Sequence, residues 1–164
     1  MLFRSSAPEG AEVAFEPEYL AGLIDIYERR IVFNTVLGLK VAQIGPQHVS
    51  ATMDMRPDLI GHYAHHRIHG GVISACLDVI GSLAVMAAIG ARHMHEPVEQ
   101  RLARFNKLGT IDLRVDYLRP GVGERFVMSA EVMRLGSRVA STRMEFRGPQ
   151  DKLMATGAGA YIVS

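Results

Sequence analysis

Apolar positions along the chain change their period several times, and each change marks an element. Tyr19, Leu20, Leu23, Ile24 and Tyr27 recur at i, i+3 and i+4 spacing behind Glu16-Pro17-Glu18. That proline and the acidic first turn predict a helix running to about Arg30, with Arg29 and Arg30 suiting the negative end of its dipole. After a turn at 34–38, residues 39–44 read as a strand, and apolar and polar positions alternate through 48–55, with Gly45-Pro46 between them, the pattern of a hairpin. A polar, histidine-rich stretch at 57–68 reads as a loop. The alternation then disappears: residues 70–91 carry one charge, Asp78, in 22 positions, and small residues punctuate an otherwise apolar helix over 71–89. Beyond a charged link at 92–107, period two returns in 109–117, 125–135, 138–147 and 152–163. Gly121-Val-Gly123, Gly136-Ser137 and Gly148-Pro149 supply turns between these runs, which predicts an antiparallel meander.

Helix, two strands, long helix, four strands: this order predicts an α+β fold, one curved antiparallel sheet wrapped around one long central helix. Residues 1–16 read as a loose arm. We divide the chain into an N-terminal arm and helix at 1–35 and a main domain at 36–164. A helix apolar on all sides either crosses a bilayer or is wrapped by protein. Asp78 near its middle, where lipid makes a charge expensive, and the lack of a second span favour protein. No long apolar run follows Arg4, so no secretory leader is read; a cytoplasmic protein without membrane contact is the expectation.

Composition narrows the function classes. Eighteen Lys and Arg against 17 Asp and Glu leave a net charge of +1, which does not advertise a nucleic-acid partner. The absence of Trp, with only six Phe and five Tyr, argues against a stacking surface for single strands. The one cysteine, Cys76, excludes an internal disulfide; lying in the apolar helix, it reads as a buried inert thiol. His62, His65, His66 and His69 invite a metal reading, but the glycine pair after His69 begins the helix rather than continuing it, and there is no HExxH pattern. No metal is expected. Arg4, Arg101, Arg104 and Lys107 suggest a basic rim or a plain solvated face.

The chemistry concentrates in His69-Gly70-Gly71-Val72-Ile73-Ser74-Ala75-Cys76-Leu77-Asp78. Two glycines opening a helix leave backbone N–H groups unshielded at the positive end of the dipole, a place for an anion or for the oxyanion of a carbonyl under attack. They also suit close packing alone. A carboxylate in an uncharged helix needs a partner, and is a candidate base or nucleophile. Gly71 and Asp78 lie seven residues apart, roughly 10.5 Å along one axis. Both must come within about 3 Å of the groups they serve at one carbonyl. One chain's pair cannot do that, so a site using both needs two antiparallel copies of the helix.

The run HGGVISACLD, then TIDLRVDYLRPGVGERF, a Gly-Ser-Arg turn and the closing ATGAGAYIV resemble the hotdog-fold acyl-CoA thioesterases of the phenylacetic-acid-pathway type. The resemblance covers about residues 36–163. It implies a hotdog fold, homodimers or homotetramers with sites at their interface, an acyl-CoA substrate, and no cofactor beyond the coenzyme A of the substrate. By motif position, Asp78 is the implied base or nucleophile and the Gly71 N–H the oxyanion donor, with His69 orienting the acyl group and Thr110 steadying Asp78 or its water. Gly70, Arg119, Gly136, Ser137 and Arg138 fall where relatives meet the substrate; Arg138 offers a planar fork to a phosphate.

Two departures stand out. Relatives place an Asn six or seven residues before the His of HGG, where this chain has Tyr63 and His62; His62 is the substitute N–H donor. The link at 92–107 is also longer and more charged, either a lid over a substrate tunnel or a solvated helix and loop. Two rivals compete with a thioesterase. A non-catalytic acyl-CoA-binding module would bind the ester without turnover. A hotdog hydratase would pair a catalytic His with an acid in other motifs, which are not found here.

Overall fold

The computed structural model describes residues 13–164. The expected arm at 1–16 thus lies largely outside the described residues, as does Arg4. Helix α1 (Pro17–Asp25) begins behind Glu16 as expected, and its last turn widens into a π-turn, Ile26–Arg30. Residues read as a turn instead form a short helix, α2 (Val32–Leu37), closed by Gly38 in the left-handed conformation at φ 70°. Tertiary contact explains the difference: the buried Asn34 side chain donates to the Tyr27 carbonyl at 2.8 Å and docks the turn on the preceding helix.

Strands β1 (Lys40–Ile44) and β2 (His48–Asp54) form the expected hairpin. The loop at 57–68 contains a small two-stranded ribbon, β3 (Ile60–His62) with β4 (Arg67–Ile68). Helix α3 (Gly70–Arg92) follows, then α4 (Val98–Ala103), β5 (Gly109–Tyr117), β6 (Arg125–Leu135), β7 (Val139–Gly148) and β8 (Lys152–Ile162). The main sheet is antiparallel in the order β1-β2-β6-β7-β8-β5.

This order corrects the simple meander. β6, β7 and β8 do succeed one another, but β5 lies at the edge beside β8, and β6 pairs with β2. Residues 118–124, read as a hairpin turn, instead cross the end of the sheet. Seven extended residues reach roughly 23 Å, enough to pass the three strand spacings of about 4.8 Å between β5 and β6. The crossing is fastened by Leu118 and Arg119 N–H groups on the Met154 carbonyl and by Ile68 N–H on the Gly121 carbonyl.

Alternation decides which side of each strand is buried. Val49, Ala51 and Met53 of β2, Phe126 and Met128 of β6, Met144 and Phe146 of β7 and Tyr161 of β8 all turn inward onto Ile73, Cys76, Leu77, Ile80, Leu83 and Val85 of α3. The long apolar helix is therefore the core of the sheet, as its composition predicts. The folded part of the N-terminal arm, α1 with its π-turn and α2, covers its C-terminal half together with α4.

Candidate active site

α3 starts at an N-cap made by His69, whose Nδ1 accepts the Gly71 N–H at 2.8 Å. The amide that the sequence offers as oxyanion donor is thus held by the ring expected to orient the acyl group. A carbonyl oxygen reaches that amide only when the ring turns aside. Tyr117, at the end of β5, donates its hydroxyl to the Gly70 carbonyl at 2.7 Å and ties the helix start to the edge strand. Around this end lies an open cleft of about 530 Å³, lined among others by His62, His69, Gly70, Tyr117 and Arg119. Arg119, which lines the cleft, spends one guanidinium N–H on the Leu153 carbonyl at 2.8 Å. His62 is exposed, stacked on Tyr63 and tilted against His65.

Two turns along α3, Asp78 is half-buried, and Thr110 Oγ1 donates to its Oδ1 at 2.8 Å. A register shift between Thr110 and Asp112 in β5 aims that hydroxyl at the helix. Behind the carboxylate, the Tyr161 hydroxyl donates to the Asp78 carbonyl at 3.0 Å. Only a glycine permits this approach: a Cβ on Gly81 would come within 2.2 Å of the Tyr161 oxygen. Burial, and then the Asp78 charge, push the Tyr161 phenol well above its ordinary range, so it stays a donor. Sequence reasoning missed Tyr117 and Tyr161; the glycines in the final strand, which leave room beside an aromatic ring, were the available signal.

Gly71, Ser74, Ala75, Asp78, Val79 and Ser82 form one partly open face of α3. The remaining residues implied to meet coenzyme A are elsewhere. Gly136 and Ser137 line a hollow of about 280 Å³ with Ile89, Arg92 and His93, at the C-terminal end of the helix. Arg92 reaches the Leu135 and Gly136 carbonyls, fixing that turn, and Arg138 is exposed on it. The 23 residues of α3 span roughly 34 Å, so one chain does not unite Arg119 with Arg138.

Other readings resolve plainly. Cys76 is buried with its thiol pushed up to about 12 by burial, consistent with an inert side chain. The basic rim is overturned for two of its members. Arg101 is fully buried, bonded to Glu16 Oε1 at 2.6 Å and lying over the Tyr19 ring, and Arg104 is paired with Glu96. Arg101 found its acid 85 residues away, and Arg104 found its acid within the charged link itself. Among the described residues His93, His95 and Glu96 bring possible metal-ligating atoms together, but Arg104 occupies the Glu96 carboxylate.

Comparison with known proteins follows the same lines. A family model described as the thioesterase superfamily matches residues 65–155. The medium/long-chain acyl-CoA thioesterase YigI of Escherichia coli (strain K12) is 33% identical over 144 residues, covering 88% of this chain and 92% of its own. A crystal structure from Shewanella oneidensis, described as related to the thioesterase superfamily, superposes with a TM-score of 0.84 at 35% identity, covering 92% of this chain and all of its own.

Proposed function

The chain belongs to the thioesterase superfamily, and on that footing we propose that it hydrolyses acyl-CoA thioesters to a free carboxylic acid and coenzyme A. The observation that carries this reading is the Asp78 carboxylate, on the open face of a helix whose one other charge is Arg92 in its last turn, and oriented by Thr110. Thr110 engages Oδ1, which leaves Oδ2 to take a proton from an attacking water or to attack the carbonyl itself. The Gly71 N–H, at the positive end of a helix, receives the developing negative charge on the thioester oxygen once His69 releases it. Coenzyme A leaves as a good thiolate, so no strong general acid is required.

The site is shared between two copies. Asp78 and Gly71 are too far apart along one helix to serve one carbonyl. The outer edge of β5 is unpaired, and Ile111 and Tyr117 on it are 56% and 54% exposed. Pairing of two β5 edges about a two-fold axis would continue the sheet and set two α3 helices side by side, antiparallel. Gly136, Ser137 and Arg138 of one copy then supply coenzyme A contacts that Arg119 alone does not. The acyl group is read as aliphatic, after the named relative, rather than aromatic.

Mixing inactive variants tests this arrangement together with the chemistry. Asp78→Ala and Gly71→Pro, which lacks the N–H, are each expected to release almost no thiol from hexanoyl-, decanoyl- or palmitoyl-CoA. Refolded together they regain about a quarter of wild-type activity, because half the dimers are mixed and each has one intact site. No regain places both groups within one protomer's site or outside it. No release from wild type, with tight ester binding by calorimetry, would make the protein a binding module.

A further inference from the structure

Exposure along α3 stops abruptly after Ser82. The face up to that residue is partly open, whereas Leu83, Ala84, Val85, Met86 and Ala87 are all buried. The N-terminal arm closes it. Tyr27, fully buried in the π-turn, has its hydroxyl 3.0 Å from Ser82 Oγ. Ser82 Oγ already donates to the Val79 carbonyl at 2.9 Å, so the phenol is the donor. One turn farther along, the Tyr19 hydroxyl donates to the Met86 carbonyl at 2.7 Å. On the other side of the Tyr27 ring stands Phe105, edge-on with ring centroids 5.8 Å apart. Phe105 is itself a wall of a cavity of about 580 Å³ that Ile26, Ile31, Val98 and Leu102 also line. Tyr27, backed by Phe105, therefore stands between the face that carries Asp78 and this space, which Glu18, Arg30, Glu99 and Asn106 line as well.

We propose that Tyr27 sets the upper limit of acyl length: the tail lies along α3 from Asp78 toward Ser82 and stops where the buried Tyr27 ring, joined to Ser82, closes that face, and the cavity behind Tyr27 and Phe105 is shut off from it. The inference rests on the thioesterase reading and adds to it the residue that measures the substrate. Two features make the ring a firm wall. Its hydroxyl is tied to Ser82, and displacing it would leave a buried polar group without a partner. Phe105 backs it from behind, so the ring has no free space to swing into without moving a second aromatic. The matched family stretch begins at residue 65, so the arm that carries Tyr27 lies outside it.

The test is a comparison of kcat/KM for hexanoyl-, decanoyl- and palmitoyl-CoA among the full-length wild type, Tyr27→Phe, Tyr27→Leu and Tyr27→Ala. Each methylene newly buried is worth about fourfold or more in binding. Tyr27→Ala is expected to raise the palmitoyl-to-hexanoyl ratio at least about tenfold, Tyr27→Leu to raise it less, and Tyr27→Phe, which keeps the ring on Phe105 and loses only the tie to Ser82, to raise it least. An unchanged ratio in a folded, active Tyr27→Ala or Tyr27→Leu enzyme overturns the proposal. If the alanine variant does not fold, the leucine variant, which keeps an apolar side chain in the core, decides. Absence of thiol release from the wild type would instead overturn the thioesterase reading, a result distinct from an active enzyme whose chain preference does not move.

Discussion

From residue 83 to 87, α3 is sealed on every side, by β6 and β7 beneath it and by the arm above, whereas from 71 to 82 one face stays open and carries Asp78. Both halves are built from the same small and apolar residues. The sealed half is held by Tyr19 on Met86 and Arg101 on Glu16, and Tyr27 on Ser82 marks its boundary with the open half. The open half keeps Ala75 and Val79 in partial contact with water, which an apolar face gives up readily to a ligand or a second copy. One helix thus serves as core where its own chain covers it and as a working surface where it does not.

The sharpest way to separate the halves is to remove one key group from each. Asp78→Ala should lower turnover by about 10²–10⁴-fold, the usual worth of a positioned base. Its thermal midpoint should stay close to wild type, because the carboxylate contributes one hydrogen bond from an exposed threonine. A large fall in melting temperature would assign Asp78 a structural role instead. Arg101→Ala should do the reverse. It empties a fully buried position and strips Glu16 of its partner, for a loss of about 2–3 kcal/mol; the 41% exposed Glu16 side chain can return to water, which keeps the loss below that of a fully buried pair. Denaturant unfolding gives the size, and hydrogen exchange should show protection lost first over residues 17–30.

Acid extends that comparison. The Arg101 hydrogen bond holds the Glu16 carboxyl below the ordinary glutamate value of 4.5. A carboxyl with a depressed folded value stabilises fully above its unfolded value and loses that contribution as pH falls through the lower folded one. The arm should therefore loosen only below about pH 4.5 in wild type, and Arg101→Ala should abolish that dependence. The smallest expected effect lies on the open half. Thr110→Val keeps the shape of the side chain and removes the hydroxyl on Asp78, which should lower kcat about tenfold with little change in KM. No change in kcat would make the threonine incidental.

Much of this was legible along the chain, for identifiable reasons. The runs at 109–117 and 125–135 alternate so regularly that their limits coincide with β5 and β6. The apolar helix with one carboxylate announced both the core and the candidate base, because an uncharged helix makes a single acid conspicuous. The misread places share another cause. Arg101 sits in a charged run that looks solvated, and its acid partner lies 85 residues away. Residues 118–124 hold the glycines of a turn, yet they form a crossing whose neighbours are Met154 and Ile68.

Periodicity and residue type by themselves determined which segments are the strands of the main sheet, which face of each is buried, and that one apolar helix fills the sheet, since those properties follow from side-chain spacing and transfer from water. Only the tertiary structure decided that β5 takes the edge beside β8, that His69 caps Gly71, that Thr110 meets Asp78, and that Tyr27 closes the helix face. Alternation tells a strand which side to bury but not which strand to lie beside. A hydrogen bond or an aromatic contact between distant residues exists only once the chain has folded back on itself.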